Sequence, residues 1–492
     1  MMRSSPTKGR FLGMPQGFGA IYFTQLFSTI SFAVIFSSLV LYMQEQVRLS
    51  ATQADLITGV YFAYNFALHM LAGYLGGQFL SYRGLVIIGL VFQLIACLLL
   101  AHGALASLYW GLACMLIGTG TMVTCLNMLL SQLFQADEVG KRQSGFLWNY
   151  SGMNIGFILG FTLAGYFQLK TNYTMLFLLT AVNNIIAMVI LFSQWKRMRD
   201  KDTIFSRATA KARLKRIGIG TLIILALVPL LQVLLHHTQF SDDLVLSVGF
   251  LMLVVLFLIA FKHHDAARKK LFAFIILIVS AQFFWIIYQL APMSLTIFAK
   301  NNVNLHLFGF RIAPGWIQNV NSITIVIGGP LLALFFTWIR RKTKTTALLP
   351  LQYSTGLFLS SLSLLILPLG IALGDPRGFM AFGWLFVTYV LQGTAELLIS
   401  PIGYSMVGQL IPTRWQGLGM GTTLLNLGVA AVFASFFSVY AMGPRETLDP
   451  LITNPFYSRA FMQLGFLALA VAVILVIATP FIKRLISGNE TL

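Results

Sequence analysis

One acidic residue stands deep inside an apolar run: Glu396, in YVLQGTAELLISPIGYSMVGQL. A charge at bilayer depth is costly, so an ionisable side chain held there is functional by default. No Lys or Arg lies at comparable depth. Such an acid suits a proton carrier, or a group that meets the cationic part of a substrate. The other thirteen acids fall in loops, tails or span ends, with Asp55 at a span end and Asp242 in an outward loop. His69, in YNFALHMLAGYL, is the one histidine clearly inside a span. It is either a second proton-relay candidate or a neutral ring bonded to a backbone carbonyl.

Polar groups gather near these residues. Ser400 is four residues after Glu396, on the same helical face. Pro401 follows and leaves a carbonyl free one turn back. Asn321 opens another span, ahead of Gly328, Gly329 and Pro330. Asn127, Asn149 and Asn154 put amides into two further spans, where they contact substrate or bridge helices. Tyr288 beside Gln289 fits a ligand cavity, and Phe283, Phe284 and Trp285 precede them. Gly152, Gly156 and Gly160, spaced by four, predict a close helix approach. His237 and Asp242 have an H-x4-D spacing but no supporting constellation for acyl transfer. There is no P-loop and no thiol or histidine cluster with metal spacing, so neither ATP, metal nor cofactor is expected.

The elements that must position these residues are helices in a bilayer. The 492 residues are 58% hydrophobic and 10% charged, against roughly 25% charged in soluble domains. Hydrocarbon offers no hydrogen-bond partners, and runs of about 20 apolar residues select helices over a barrel. Fourteen spans are predicted, among them 213–236, 243–261 and 271–299. The run over 17–43 is too long for a signal peptide and reads as a retained first helix. Cys97, Cys114 and Cys125 all fall in apolar runs and read as packing residues, not a disulfide framework.

With the N-terminus in the cytoplasm, 26 of the 33 Lys and Arg fall on that side and seven on the other. The positive-inside rule then places both termini in the cytoplasm of a bacterial inner membrane. The net charge of +19 is thereby explained by topology and by contact with anionic lipid, without nucleic acid. The longest polar stretch, about 195–212, follows six spans; two spans and then six more come after it. The expected organisation is an N-terminal six-helix bundle over 1–195, a basic linker with an inserted helical pair over 196–268, and a C-terminal six-helix bundle over 269–492. Transporters carry such repeats around a midplane site.

Four stretches then carry a family resemblance over nearly the whole chain. AELLISPIGYSMVGQLIP, 395–412, resembles the tenth-helix signature of the proton-dependent oligopeptide transporters of the major facilitator superfamily. NYSGMNIG, 149–156, is similar to the fifth-helix motif through Tyr150, Asn154 and Gly156. FWIIYQLAPMSL, 284–295, and NSITIVIGGP, 321–330, resemble the seventh and eighth helices. The resemblance implies the major facilitator fold with two extra helices, and it implies that Asn321 and Glu396 hold the amino end of a peptide. The departures fall on the other end. The first-helix E-x-x-E-R of the family reads Gln25, Leu26, Phe27, Ser28, Thr29, and the fourth-helix Lys is Val123. Gly77 stands for the loop Asp between the second and third helices, and Thr423 for the eleventh-helix Trp.

The expectation is therefore a secondary transporter, not an enzyme, working as a monomer. Its substrate is a peptide, or a peptide-like or amine-bearing small molecule without a free carboxylate. Contacts are expected from Glu396, Asn321, Ser400, Tyr150, Asn154, Tyr288, Gln289 and Gln25, and proton coupling through Glu396 or His69. The alternatives are an exporter of drugs, siderophores or modified peptides, and a non-transporting sensor.

Overall fold

The computed structural model describes residues 11–135, 138–198, 200–307, 309–343, 349–443 and 447–487. Arg3, Lys8, Arg10, Asp137, Lys344, Arg445, Glu446 and Glu490, which enter the charge reading, lie outside them. The chain is almost entirely helical. Its helices are α1 (Phe18–Glu45), α2 (Ala51–Leu75), α3 (Tyr82–Ala101), α4 (Leu105–Ser131), α5 (Val139–Leu169) and α6 (Tyr173–Ser193). Then come the short α7 (Ile204–Arg207), α8 (Ala210–His236) and α9 (Thr238–Lys262). The last are α10 (Asp265–Gln289), α11 (Ser294–Asn302), α12 (Pro314–Thr343), α13 (Leu349–Ala372), α14 (Phe382–Leu410), α15 (Gln416–Met442) and α16 (Pro450–Ser487).

Thirteen stretches among the described residues are long and apolar enough to cross a membrane. The 30-residue α12, where a fourteenth span was expected, is as long as the others. The expected span 271–299 is interrupted. Pro292 lacks an N–H and disfavours a helical Ala291, so α10 stops at Gln289 and α11 restarts at Ser294. The loop expected around Asp242 is absent. His237 alone separates α8 from α9, and Asp242 lies inside α9, buried.

Compactness divides the chain into two units. The first holds Met1–Ile35, Leu68–Leu163 and Asn172–His236. Within it the glycine stripe of α5 meets α1: a Cβ at Gly156 would lie 2.6 Å from the Leu26 carbonyl oxygen, and one at Gly160 2.5 Å from Ala33 Cβ. Side chains on these positions are excluded by contact. Cys97, Cys114 and Cys125 are buried and unpaired, as packing residues are. Polar groups bridge helices: Ser31 Oγ donates to Asn184 Oδ1 at 3.1 Å and Gln93 Nε2 to Ser28 Oγ at 3.2 Å.

The basic linker is folded against the loop between α2 and α3. Asp200 accepts from Tyr82 N through both oxygens, at 3.1 and 2.9 Å, at the start of α3. Arg83 donates to Trp195 O at 2.6 Å and lies over the Trp195 ring. Phe205 N donates to Gly77 O, and Arg216 Nη1 to Gln78 O, both at 2.8 Å. Burial pushes the Asp200 carboxyl above the ordinary carboxylate range, against the pull of the Tyr82 N–H and the Arg83 charge.

The second unit holds Phe36–Ala67, Ala164–Thr171 and His237–Leu492. It contains α9 to α16 and the adjoining parts of α1, α2 and α5. Gln168 ties three of these segments: its Nε2 donates to Ser37 O at 2.9 Å, and its Oε1 accepts from Gly315 N at 2.8 Å. Lys300 pairs with Glu45 at 2.6 Å. Val303–Asn304 and Met380–Ala381 form a short parallel ladder. Beside it Asp375 accepts from Arg377 N and Phe379 N, each at 2.9 Å, and these bonds hold its carboxyl below the usual range.

Candidate substrate and proton site

Glu396 sits in the middle of α14, one turn before Ser400, and the helix runs on through Pro401. Its partner comes from α12. Asn321 Nδ2 donates to Glu396 Oε2 at 3.0 Å. The approach of the two helices there depends on Gly393, where a Cβ would lie 2.6 Å from Asn321 Oδ1 and 3.0 Å from Thr324 Cβ. Asn321 Oδ1 is enclosed and has no hydrogen-bond partner. A carboxylate and an unpartnered amide oxygen are the acceptors an ammonium group needs.

Beyond Ser400 the second unit holds a cleft lined by Trp285, Tyr353, Ser400, Met406, Thr423 and Asn426, with Ile278, Ile399 and Leu427 behind. The lining contains aromatic, apolar and neutral polar side chains and no Lys, Arg, Asp or Glu. Thr423 bonds only to its own helix, at Gly419 O, 3.0 Å. The small residue standing where an indole was expected therefore faces the cleft. Tyr288 and Gln289 end α10. Tyr288 lies in an aromatic cluster with Phe284 and Trp285, at 6.0 and 5.6 Å between ring centroids, and Gln289 is fully buried with both amide atoms unpartnered.

The first unit holds the remaining candidates. Gln25 is buried and its Nε2 donates to Thr29 Oγ1 at 3.1 Å, while its Oε1 is unpartnered. Tyr150 is exposed, and Asn154 is spent on the Tyr150 carbonyl oxygen at 2.9 Å. His69 Nδ1 meets Gly120 O at 3.1 Å, the backbone-bonded alternative for that ring. Asn149 is buried with its oxygen unpartnered.

Two kinds of residue at the site are not announced by the sequence. Tyr353 and Asn426 line the cleft; Asn426, an amide in the apolar run LLNLGVAAV, carried a signal, and Tyr353 carried none. Glu396 is also not the lone enclosed acid. Asp55 and Asp242 are buried more fully than the half-buried Glu396, at 0% and 3% exposure. Hydropathy marks where a span ends, but not what packs beside its end.

Three comparisons bear on this geometry. The POT family profile matches residues 29–446. The chain belongs to the POT family. This POT protein is 26% identical to dipeptide and tripeptide permease B of Salmonella typhimurium over 494 residues, covering all of both chains. It is 28% identical to dipeptide and tripeptide permease A of the same organism, over 97% of this chain and 94% of that one. Its fold matches the crystal structure of a POT peptide transporter in complex with sulfate, with a TM-score of 0.85 at 22% identity, over 99% of this chain and 98% of that one. The POT protein is thus a multi-pass membrane protein of a bacterial permease family, a transporter and not an enzyme.

Proposed function

We propose that this POT protein moves short peptides, or peptide-like molecules with a free amine, across the bacterial inner membrane by alternating access. Rocking of two helical bundles about a midplane site is the usual form of such transport. The observation that carries the reading is the Glu396–Asn321 pair on α14 and α12, a carboxylate hydrogen-bonded to an amide whose own oxygen is unpartnered. It would take the substrate ammonium. The apolar and aromatic cleft beyond Ser400 would take a side chain. The names of the permease relatives support a peptide substrate.

The positions that resemble a carboxylate clamp carry Gln25, Ser28, Thr29 and Val123. We infer that a free carboxylate adds little to binding, so amidated peptides and other amines are accepted. Glu396 is the proposed proton carrier, with His69 second. The distribution of Lys and Arg supports both termini in the cytoplasm, and one chain carries both Glu396 and Asn321, which supports a monomer. Thermal stabilisation by a dipeptide, its amide and its N-acetyl form tests the reading. The amide is expected to stabilise as the free dipeptide does, and the acetylated form to fail; equal loss on amidation and on acetylation would sink it.

The uncharged lining of the cleft favours a second reading, export of apolar drugs or modified peptides. Higher accumulation of such compounds in cells lacking the gene would select it.

A further inference from the structure

The acid that the clamp leaves unused is Asp55. It lies on the second turn of α2 and is wholly buried. Three residues on one face of α2, each four apart, meet α15. Asp55 faces Ser438. A Cβ on Gly59 would lie 2.5 Å from Ser435 Cβ and 3.1 Å from the Ala431 carbonyl oxygen. Gly428, on α15, approaches Ala63 so closely that a Cβ there would lie 3.0 Å from the Ala63 carbonyl oxygen. The two helices therefore run past one another in opposite directions along a seam of small residues, with a carboxyl group at one end.

That carboxyl group is poorly provided for. Ser438 Oγ donates to Asp55 Oδ2, and Asp55 Oδ1 is enclosed without a partner. The groups facing it are few. From α15 there is the Ser438 hydroxyl, and from α16 the buried phenol of Tyr457, near enough to feel the charge. From α2 itself Thr58 is turned back on Ala54 O. Among the described residues no Lys or Arg pairs with Asp55, and Lys300 is taken by Glu45. A buried carboxylate with one hydrogen bond and no cation is costly, whereas a neutral carboxyl can hand its O–H to the Ser438 oxygen.

We propose that Asp55 is a second proton-binding site, a latch whose protonation from the outer face lets the seam between α2 and α15 close. It rests on the alternating-access reading above and on the orientation that puts the start of α2 outside. A closed seam enclosing an ionised Asp55 strands a carboxylate, so loss of the proton drives the seam open. The proton enters from the outer solution and returns to it when the seam reopens. Asp55 thus makes closure depend on external pH without carrying a proton across; net coupling stays with Glu396.

The test needs no substrate. Ser435, buried in the seam, is replaced by Cys, and its labelling by a membrane-impermeant maleimide is followed in oriented proteoliposomes at external pH about 5.5 and about 8, bracketing the range where a buried carboxyl titrates. Protein without the added thiol reports the background from the buried native cysteines. The thiolate is the attacking species and grows with pH by itself, so each rate is divided by that of a Cys placed in an exposed outer loop and labelled at the same pH. This ratio is expected to be roughly fivefold or more higher at the alkaline end, as the open population grows. Adding Asp55→Asn is expected to leave the ratio low at both values. Adding Ser438→Ala, which removes the one bond to the ionised form, is expected to keep the pH response and to raise alkaline labelling. A response that survives Asp55→Asn, is lost in Ser438→Ala or is absent in the parent overturns the proposal. Peptide counterflow is measured on the same vesicles. Its absence alongside an intact labelling response would remove the peptide reading and leave the latch, and the reverse result would do the opposite.

Discussion

Replacing Glu396 by Gln keeps the shape of the clamp and removes its charge. Asn321 Nδ2 holds Glu396 Oε2 at 3.0 Å, while Asn321 Oδ1 is unpartnered. A bound ammonium would then meet one charged and one neutral acceptor. A hydrogen bond to a charged group contributes about 1.5–3 kcal/mol, so Glu396→Gln is expected to weaken binding of a free-amine dipeptide roughly 10- to 150-fold. Asn321→Ala removes a neutral bond of about 0.5–1.5 kcal/mol, for a loss of roughly 2- to 12-fold. Because the two side chains touch, the double variant is expected to lose less than the sum. Isothermal titration in detergent with a dipeptide and with its N-acetyl form measures all four proteins. The acetylated peptide is expected to bind weakly and almost equally to each. If Glu396→Gln costs the free and acetylated peptides the same factor, the amine is not what Glu396 meets and the reasoning fails.

Other expectations follow from particular contacts. Thr423→Trp puts an indole into the cleft beside Trp285 and Tyr353; transport of dipeptides with bulky side chains is expected to fall more than that of glycine-containing ones in a competition assay. Gly156→Val sets carbon atoms against the Leu26 carbonyl and Thr29, and overpacking of this kind costs about 1–3 kcal/mol, visible as a lower melting temperature in detergent. Asp200 has a raised folded pKa, so its ionised form opposes folding. Stability is expected to rise as pH falls through that pKa, from neutral toward the acidic side, and Asp200→Asn is expected to lose this increment while keeping a bond to Tyr82 N. Asp200→Ala is expected to lose that bond at every pH, about 0.5–1.5 kcal/mol in a thermal melt.

The bundle of long helices was legible because hydrocarbon imposes one local rule on every span: apolar, about 20 residues, self-satisfied backbone. The stripe of Gly152, Gly156 and Gly160 was legible for the same reason, since spacing by four states a packing surface without naming its partner. Glu396 was legible as an acid where none is tolerated without purpose. What escaped were relations across the chain. Asp55 is five residues into α2 and reads as a span end, yet the seam with Ser438 encloses it, and no property of either segment alone announces that contact. Asp242 reads as a loop residue because two histidines and two acids interrupt the apolar pattern, but His237 alone separates α8 from α9 and the acid lies within the second helix. The break after Gln289 was signalled by Pro292 and passed over because the apolar run continues on both sides. The linker after α6 reads in the sequence only as polar and basic. Its acid, Asp200, accepts from the first N–H of α3, at Tyr82, and its backbone bonds to Gly77, so the loop that lacks its own Asp is met by one from elsewhere in the sequence.

The most direct test of the transport account is uptake of a labelled dipeptide amide into proteoliposomes under an imposed pH gradient, acid outside, for the parent and for Glu396→Gln. The account predicts accumulation in the parent that collapses when the gradient is removed, and no gradient-driven accumulation in the variant. Accumulation indifferent to the gradient, or driven equally well in Glu396→Gln, would contradict it.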